Sequence, residues 1–348
     1  MTKSHSSVPS LPSDPRPLAP AVITVLGDGG WGTALALVAA RAGHQVRIWS
    51  AFPDYAAEVE RTRLNPKFLP GIEIPGGIRV TADASAALSG ATAVVSAIPT
   101  QFIRPSAARL AAAVPAGCLL VSASKGLERG TLERPSQILA ELLPGRAVAV
   151  LSGPSHAEEV ARGLPASVVS ASRDEAAAEL ARDLFMGPAF RIYTSSDILG
   201  VELAAALKNV IALAAGMADG LGLGDNAKAA LITRGLAELS RLGVALGADA
   251  ETFSGLSGLG DLVVTCASQH SRNRRVGERL GRGEKLADIL AGMQQVAEGV
   301  ATAGAILELA RKAGVELPIA ESAARVLAGA DPRAEVRALM TRSAKAER

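Results

Sequence analysis

Lys208 lies in the run GVELAAALKNVIALAAG (200–216), where nearly every neighbour is apolar. Desolvation disfavours an ammonium and lowers its pKa, which equips a lysine for proton transfer. The same pattern fits a lysine whose stem lies on the core while its head reaches water. Lys125-Gly126 follows the apolar run CLLVSAS (118–124), and reads either as a ligand-facing cation or as a loop lysine at a turn. Asp261 closes the glycine-rich stretch that begins at Gly255 and leads into LVVTC; it can cap a helix, orient a lysine ammonium, or do both. Ser271-Arg272-Asn273-Arg274-Arg275 packs three guanidinium groups into five residues. Arginine forks match phosphate oxygens, so a small phosphorylated substrate suits them; a solvated basic face is the plainer reading. No aromatic platform accompanies the arginines, which makes nucleic acid a poor third. In Ser152-Gly153-Pro154-Ser155-His156, Ser155 suits a helix N-cap whose free amides meet substrate oxygens. His156 alone does not make a general base.

These residues need a frame, and the segment VITVLGDGGWGTALALVAARAGHQVRIW near residue 22 supplies it. A β-branched run (22–26) meets Gly27, Gly29 and Gly32 at the G-x-G-x-x-G spacing; a helical Ala/Leu pattern and a second apolar run (46–49) follow. Strand, tight turn, helix, strand is the context in which this spacing means dinucleotide binding. Gly27 permits the turn, Gly29 admits a pyrophosphate, Gly32 lets helix and sheet approach, and the helix start faces the phosphates. Apolar runs at 78–82, 93–98, 118–124, 147–152, 166–172 and 190–194 continue the alternation. They predict a doubly wound, largely parallel sheet with ligands at the carboxyl ends of its strands. From Asp197 long helical patterns take over, with Ser195, Ser196 or Asp197 placed to cap the first. The expected division is a disordered tail over 1–20, with five prolines between Pro9 and Pro20, a Rossmann-type domain over 21–196 and an all-helical domain over 197–345. The helical part is suited to substrate binding and to pairing as a homodimer.

Bulk properties narrow the class. A 348-residue chain favours two domains, and 49% hydrophobic content with 3% aromatics means a core of Ala, Val, Leu and Ile. A net charge of +2, from 36 basic and 34 acidic residues, argues against a polyanion-binding surface. Cys118 and Cys266 form no spaced metal set and read as buried reduced thiols, which suits the cytoplasm. LAPAVITVLG lacks the upstream basic stretch of a signal peptide, and no uninterrupted apolar segment reads as long enough to cross a bilayer.

Together the segments resemble the bacterial-type NAD(P)-dependent glycerol-3-phosphate dehydrogenases over about residues 22 to 330. The specific blocks are GDGGWGTALA (27–36), NPKFLPGIEIP (65–75), SASKGLE (122–128), LSGPSHAEEVA (151–161), GVELAAALKNVIALAAG (200–216), GDNAKAALITRGLAE (224–238), TFSGLSGLGDLVVTC (252–266) and SRNRR (271–275). The resemblance implies reversible hydride transfer between NAD or NADP and C2 of glycerol 3-phosphate, giving dihydroxyacetone phosphate and, in reverse, the glycerol backbone of phospholipids. It implies Lys208 as general acid/base, Lys125 polarising the same oxygen, and Asp261 and Asn209 supporting them. Arg272, Asn273 and Ser271 would grip the phosphate, and Gly153 and Ser155 would line the substrate. Gly30, Trp31, Ala157 and Glu298 match cofactor positions, and Lys125 and Arg272 reach the cofactor as well. Three departures stand out. Gly30 replaces a serine or alanine, which should loosen the turn. His156 replaces a phenylalanine, which makes it wall. Ala51 or Phe52 stands where an arginine would select NADP, with no acid in its place to select NAD. A dehydrogenase of 3-hydroxy acids would not need the SRNRR cluster, and a nucleotide sensor without chemistry would not need Lys125, Lys208 and Asp261 together.

Overall fold

The computed structural model describes residues 19–293 and 297–343; most of the expected tail, residues 1–18, lies outside them. Ten strands form among the described residues: β1 (Val22–Leu26), β2 (Gln45–Trp49), β3 (Leu64–Asn65), β4 (Leu69–Glu73), β5 (Ile78–Thr81), β6 (Ala93–Ser96), β7 (Leu119–Ser122), β8 (Val148–Ser152), β9 (Ala166–Ala171) and β10 (Phe190–Ser195). Eight of them make one sheet in the order β10-β9-β8-β7-β6-β1-β2-β5, while β3 and β4 form a separate hairpin. Pairing is parallel from β5 to β8; β9 then runs antiparallel to β8, and β10 parallel to β9. The order reverses between β1 and β6, so their carboxyl ends diverge into the crevice where doubly wound sheets bind ligands. Alternation decides which side each residue serves. Ile23, Val25 and Val95 pack into one apolar layer, while Leu26, Val94 and Leu120 pack into the layer on the opposite face.

After β10 the chain is helical. Asp197 caps the helix Ile198–Gly220, its Oδ1 accepting from the Gly200 amide at 2.8 Å, and its Oδ2 accepting from Thr252 Oγ1 at 2.7 Å. This 23-residue helix corrects one expectation. By length and hydropathy it is able to cross a membrane, although the sequence read as having no such segment. It is instead the axis of the helical core, 94% buried, with Glu202, Lys208 and Asn209 among its buried residues. Other helices pack along it, and β8 and β9 meet its first turns, so its apolar surface is already covered by protein.

The closest packing is with the helix Arg272–Gly281. A Cβ added at Gly216 would lie 1.9 Å from the Arg274 carbonyl oxygen, one at Gly220 2.2 Å from that of Glu278, and one at Gly277 2.0 Å from that of Leu213. At Gly281 the Met217 carbonyl oxygen is 2.4 Å away. Two G-x-x-x-G pairs thus lay backbone directly on backbone, and this crossing brings Arg272 and Asn273 beside the turns that carry Lys208 and Asn209. Gly277→Ala is expected to force the helices apart and lower stability by about 1–3 kcal/mol. Denaturant unfolding measures it; an unchanged midpoint would contradict this packing.

Candidate active site

A cleft of about 530 Å³ opens between the carboxyl ends of β1 and β6 and the helical half. Gly27, Gly29, Gly30 and Trp31 line one end; Lys125, Ser155, Lys208, Asn209, Ser271, Arg272, Asn273 and Glu298 line the other, with Ala157 between.

The glycine turn is built for close approach. Gly27 holds φ +111°, and a Cβ at Gly32 would meet the Gly27 carbonyl oxygen at 2.1 Å. A Cβ at Gly29 would meet nothing within 4 Å, so the backbone there faces open cleft. Gly30 differs from the expectation of a loosened turn: a Cβ would lie 2.5 Å from the Phe68 carbonyl oxygen, so glycine admits the loop after the short strand β3 onto the helix start. Asn65 fixes that loop, donating to the Asp28 carbonyl at 2.7 Å and to Thr33 Oγ1 at 2.9 Å. The Trp31 indole Nε1 is buried with no partner among the described residues. An indole N–H is a donor only, so an acceptor such as a phosphate oxygen suits it. A dinucleotide therefore fits this end. Where charge would discriminate between cofactors, Ser50 donates to Asp28 Oδ2 at 2.6 Å, and Ala51 and Phe52 line the cleft without charge.

At the other end stands a buried ionic triad. Asp261 is 1% exposed; its Oδ1 accepts from Lys208 Nζ at 2.6 Å and its Oδ2 from Lys125 Nζ at 2.7 Å. Lys208, 5% exposed, also donates to Thr265 Oγ1 at 2.7 Å, and Lys125 to the Gly153 carbonyl at 3.2 Å. Burial draws the Lys208 pKa down to about 8; Asp261 opposes the shift and the Lys125 charge assists it. Burial works against the Asp261 carboxylate, yet the two ammoniums prevail and hold it below the usual carboxylate range. Asp261 does not cap its helix. Gly260 takes the N-cap position after a π-helical turn over Leu256–Gly260, so the carboxylate meets the two lysines and, at 3.4 Å, Thr265 Oγ1. Thr265 escaped the sequence reading, although it lies four residues from Asp261 on one helix face, which was the available signal.

The remaining expected residues divide. Arg272 and Arg275 line the cleft, whereas Arg274 turns away, its Nε 2.7 Å from Asp219 Oδ2. Ser271 caps the helix, its Oγ accepting from the Arg274 amide at 3.2 Å. Asn273 is largely occupied inside the protein: Nδ2 donates to Asn209 Oδ1 at 2.9 Å, and Oδ1 accepts from the Gly299 amide at 2.9 Å. That bracket orients Asn209, whose own Nδ2 is buried without a partner among the described residues. Ser155 is not an N-cap; its hydroxyl folds back onto the Gly153 carbonyl at 2.9 Å, and His156 takes the cap position with no side-chain bond there. Gly153 stands behind the wall, its carbonyl shared by Ser155 and Lys125. Burial raises the Glu298 pKa, against the lowering influence of Arg272, Lys125 and Lys208. Cys118 and Cys266 are free and buried, and no cluster able to hold a metal occurs among the described residues.

A glycine cradle opening onto a lysine with a lowered pKa is the arrangement of the nicotinamide-dependent dehydrogenases with a Rossmann-type sheet and a helical second half. Residues 22–178 match the family description NAD-dependent glycerol-3-phosphate dehydrogenase N-terminus, and residues 197–337 its C-terminus. The chain belongs to that family. It is 54% identical to a glycerol-3-phosphate dehydrogenase [NAD(P)+] of Moorella thermoacetica, over 83% of this chain and 86% of that protein. It is 51% identical to one of Geobacillus thermodenitrificans, over 93% and 96%. The crystal structure of glycerol-3-phosphate dehydrogenase from Coxiella burnetii is similar with a TM-score of 0.89 at 38% identity, covering 93% of this chain and 99% of that one. Gly32→Ala is expected to weaken NADH binding about ten-fold or more by pushing the helix start off the turn. Titration of cofactor fluorescence reads this out, and unaltered affinity would remove Gly32 from the cradle.

Proposed function

We propose that the chain interconverts dihydroxyacetone phosphate and sn-glycerol 3-phosphate with NAD(H) or NADP(H). The observation that carries this reading is the buried Asp261 carboxylate shared by Lys125 and Lys208 in the cleft that Arg272 also lines. When bound, the nicotinamide supplies or takes up the hydride at C2. Gly27, Gly29, Gly32 and Trp31 hold the dinucleotide, with Gly30 and Ala157 beside it and Glu298 across the cleft.

The protein's own part is proton transfer and positioning. During reduction Lys208 Nζ gives its proton to the oxygen forming on C2; during oxidation the neutral amine takes the hydroxyl proton. Lys125 Nζ keeps a second positive charge beside that oxygen, where developing negative charge gains most from a fixed partner. Asp261 holds both nitrogens in place and keeps the Lys208 pKa from falling further. The Arg272 guanidinium and the free Asn209 Nδ2 anchor the phosphate, Asn273 orients Asn209, and Ser271 fixes the start of the Arg272 helix.

The charge cluster favours this reading over oxidation of a 3-hydroxy acid, because Arg272 and Arg275 both line the cleft. Purified protein with dihydroxyacetone phosphate should consume NADH or NADPH, followed as falling nicotinamide absorbance. No turnover with either cofactor, despite tight binding, would leave a nucleotide sensor. Lys208→Ala should lower kcat by about 10²–10⁴-fold, and a rate close to wild type would remove the proposed acid/base.

A general acid must be protonated to act. With the Lys208 pKa about 8, reduction should be fast below that pH and fall as pH rises through it, while oxidation rises over the same interval. Asp261→Asn removes the group that raises this pKa, so the falling limb of reduction should move to lower pH. A limb that stays in place would show that Asp261 does not tune Lys208.

A further inference from the structure

His156 lies between β8 and the short helix Ala157–Ala161, half-buried in the cleft wall beside Ser155. Its ring faces that of His270, 5.7 Å away and tilted by 52°, and both imidazoles line the cleft with Lys208 and Arg272. The triad does not use His156. Its Nε2 is nevertheless buried with no partner among the described residues. Such an atom is costly unless something completes its hydrogen bonding.

A neutral imidazole carries one N–H donor and one acceptor nitrogen, so Nε2 offers one or the other. Burial first, and the nearby Lys208 charge second, hold the imidazole below its ordinary pKa, while Glu158 and Glu159 act weakly the other way. A hydroxyl satisfies either form. The ketone oxygen and the phosphate oxygens of the proposed substrate only accept, whereas the hydroxyl on C1 both donates and accepts.

We propose that His156 Nε2 exchanges a hydrogen bond with the C1 hydroxyl of the substrate and so makes the site selective for a hydroxymethyl ketone. This rests on the reaction proposed above. Phosphate is held from the Arg272 side and the C2 oxygen from the lysine side, and His156 supplies the third point. A position expected to be inert wall thus becomes a specificity-determining residue.

The test compares dihydroxyacetone phosphate with hydroxyacetone phosphate, in which a methyl group replaces the hydroxymethyl. The wild-type protein should prefer the hydroxylated ketone in kcat/KM, and His156→Phe should lower that preference about ten-fold, the worth of one neutral hydrogen bond. His156→Gln keeps a side-chain amide that both donates and accepts, and should retain more of the preference than the phenylalanine variant. An unchanged ratio in His156→Phe, or equal ratios in the two variants, would overturn the assignment and return His156 to wall. If the wild-type protein reduces neither ketone, the reaction itself has been misread; if it reduces dihydroxyacetone phosphate with a ratio indifferent to position 156, only this inference fails.

Discussion

The active cleft is organised around one carboxylate that has no access to water. Asp261 meets Lys125 from the strand half of the chain and Lys208 from the helical half, at 2.7 and 2.6 Å. A buried charge is tolerable only when paired and hydrogen-bonded, and here each oxygen has its own ammonium. The arrangement is asymmetric in chemistry. Two cations share one anion, so a positive charge is left over at the cleft. Lys208 is the more deeply buried of the two, and burial destabilises its ammonium. The same contact joins the two halves and raises the Lys208 pKa against the larger lowering effect of burial.

A second tie reinforces the first. Glu202, six residues before Lys208 on the long helix, accepts from the Ser136 amide at 2.8 Å and Ser136 Oγ at 2.6 Å, and pairs with Arg134. Burial raises its pKa and Arg134 opposes the shift. The long helix is therefore pinned to the strand half at two levels. On the rim of the cleft it walls, Phe52 and Phe102 are exposed.

Much of this was legible in the chain. The apolar runs gave all eight strands of the main sheet: the inner strands are buried on both faces and mostly apolar, while the edge strands β5 and β10 alternate buried and exposed residues. The glycine spacing marked the turn, and the change in texture at Asp197 marked where helices begin. Other features depend on partners that are remote in sequence. The antiparallel entry of β9 leaves no trace in a run of apolar residues. Asp261 was compatible with a cap or a lysine partner, and only its neighbours across 136 and 53 residues decide between them. Gly30 read as slack because the Phe68 carbonyl pressed against it belongs to another loop. Asn273 carried the right chemistry for phosphate and lines the cleft, but its Oδ1 and one Nδ2 donor are taken up by Gly299 and Asn209. The helix Ile198–Gly220 shows the limit from the other side: its hydropathy is a property of the segment, whereas its burial is a property of the fold.

The glycine crossing of the two helices has a consequence for the cleft wall. Carbonyl oxygens already occupy the place of each missing Cβ at Gly216, Gly220, Gly277 and Gly281, so main-chain contact fixes how closely the backbones that carry Lys208 and Arg272 approach. The polar side chains extend from a spacing that no side chain between the helices sets.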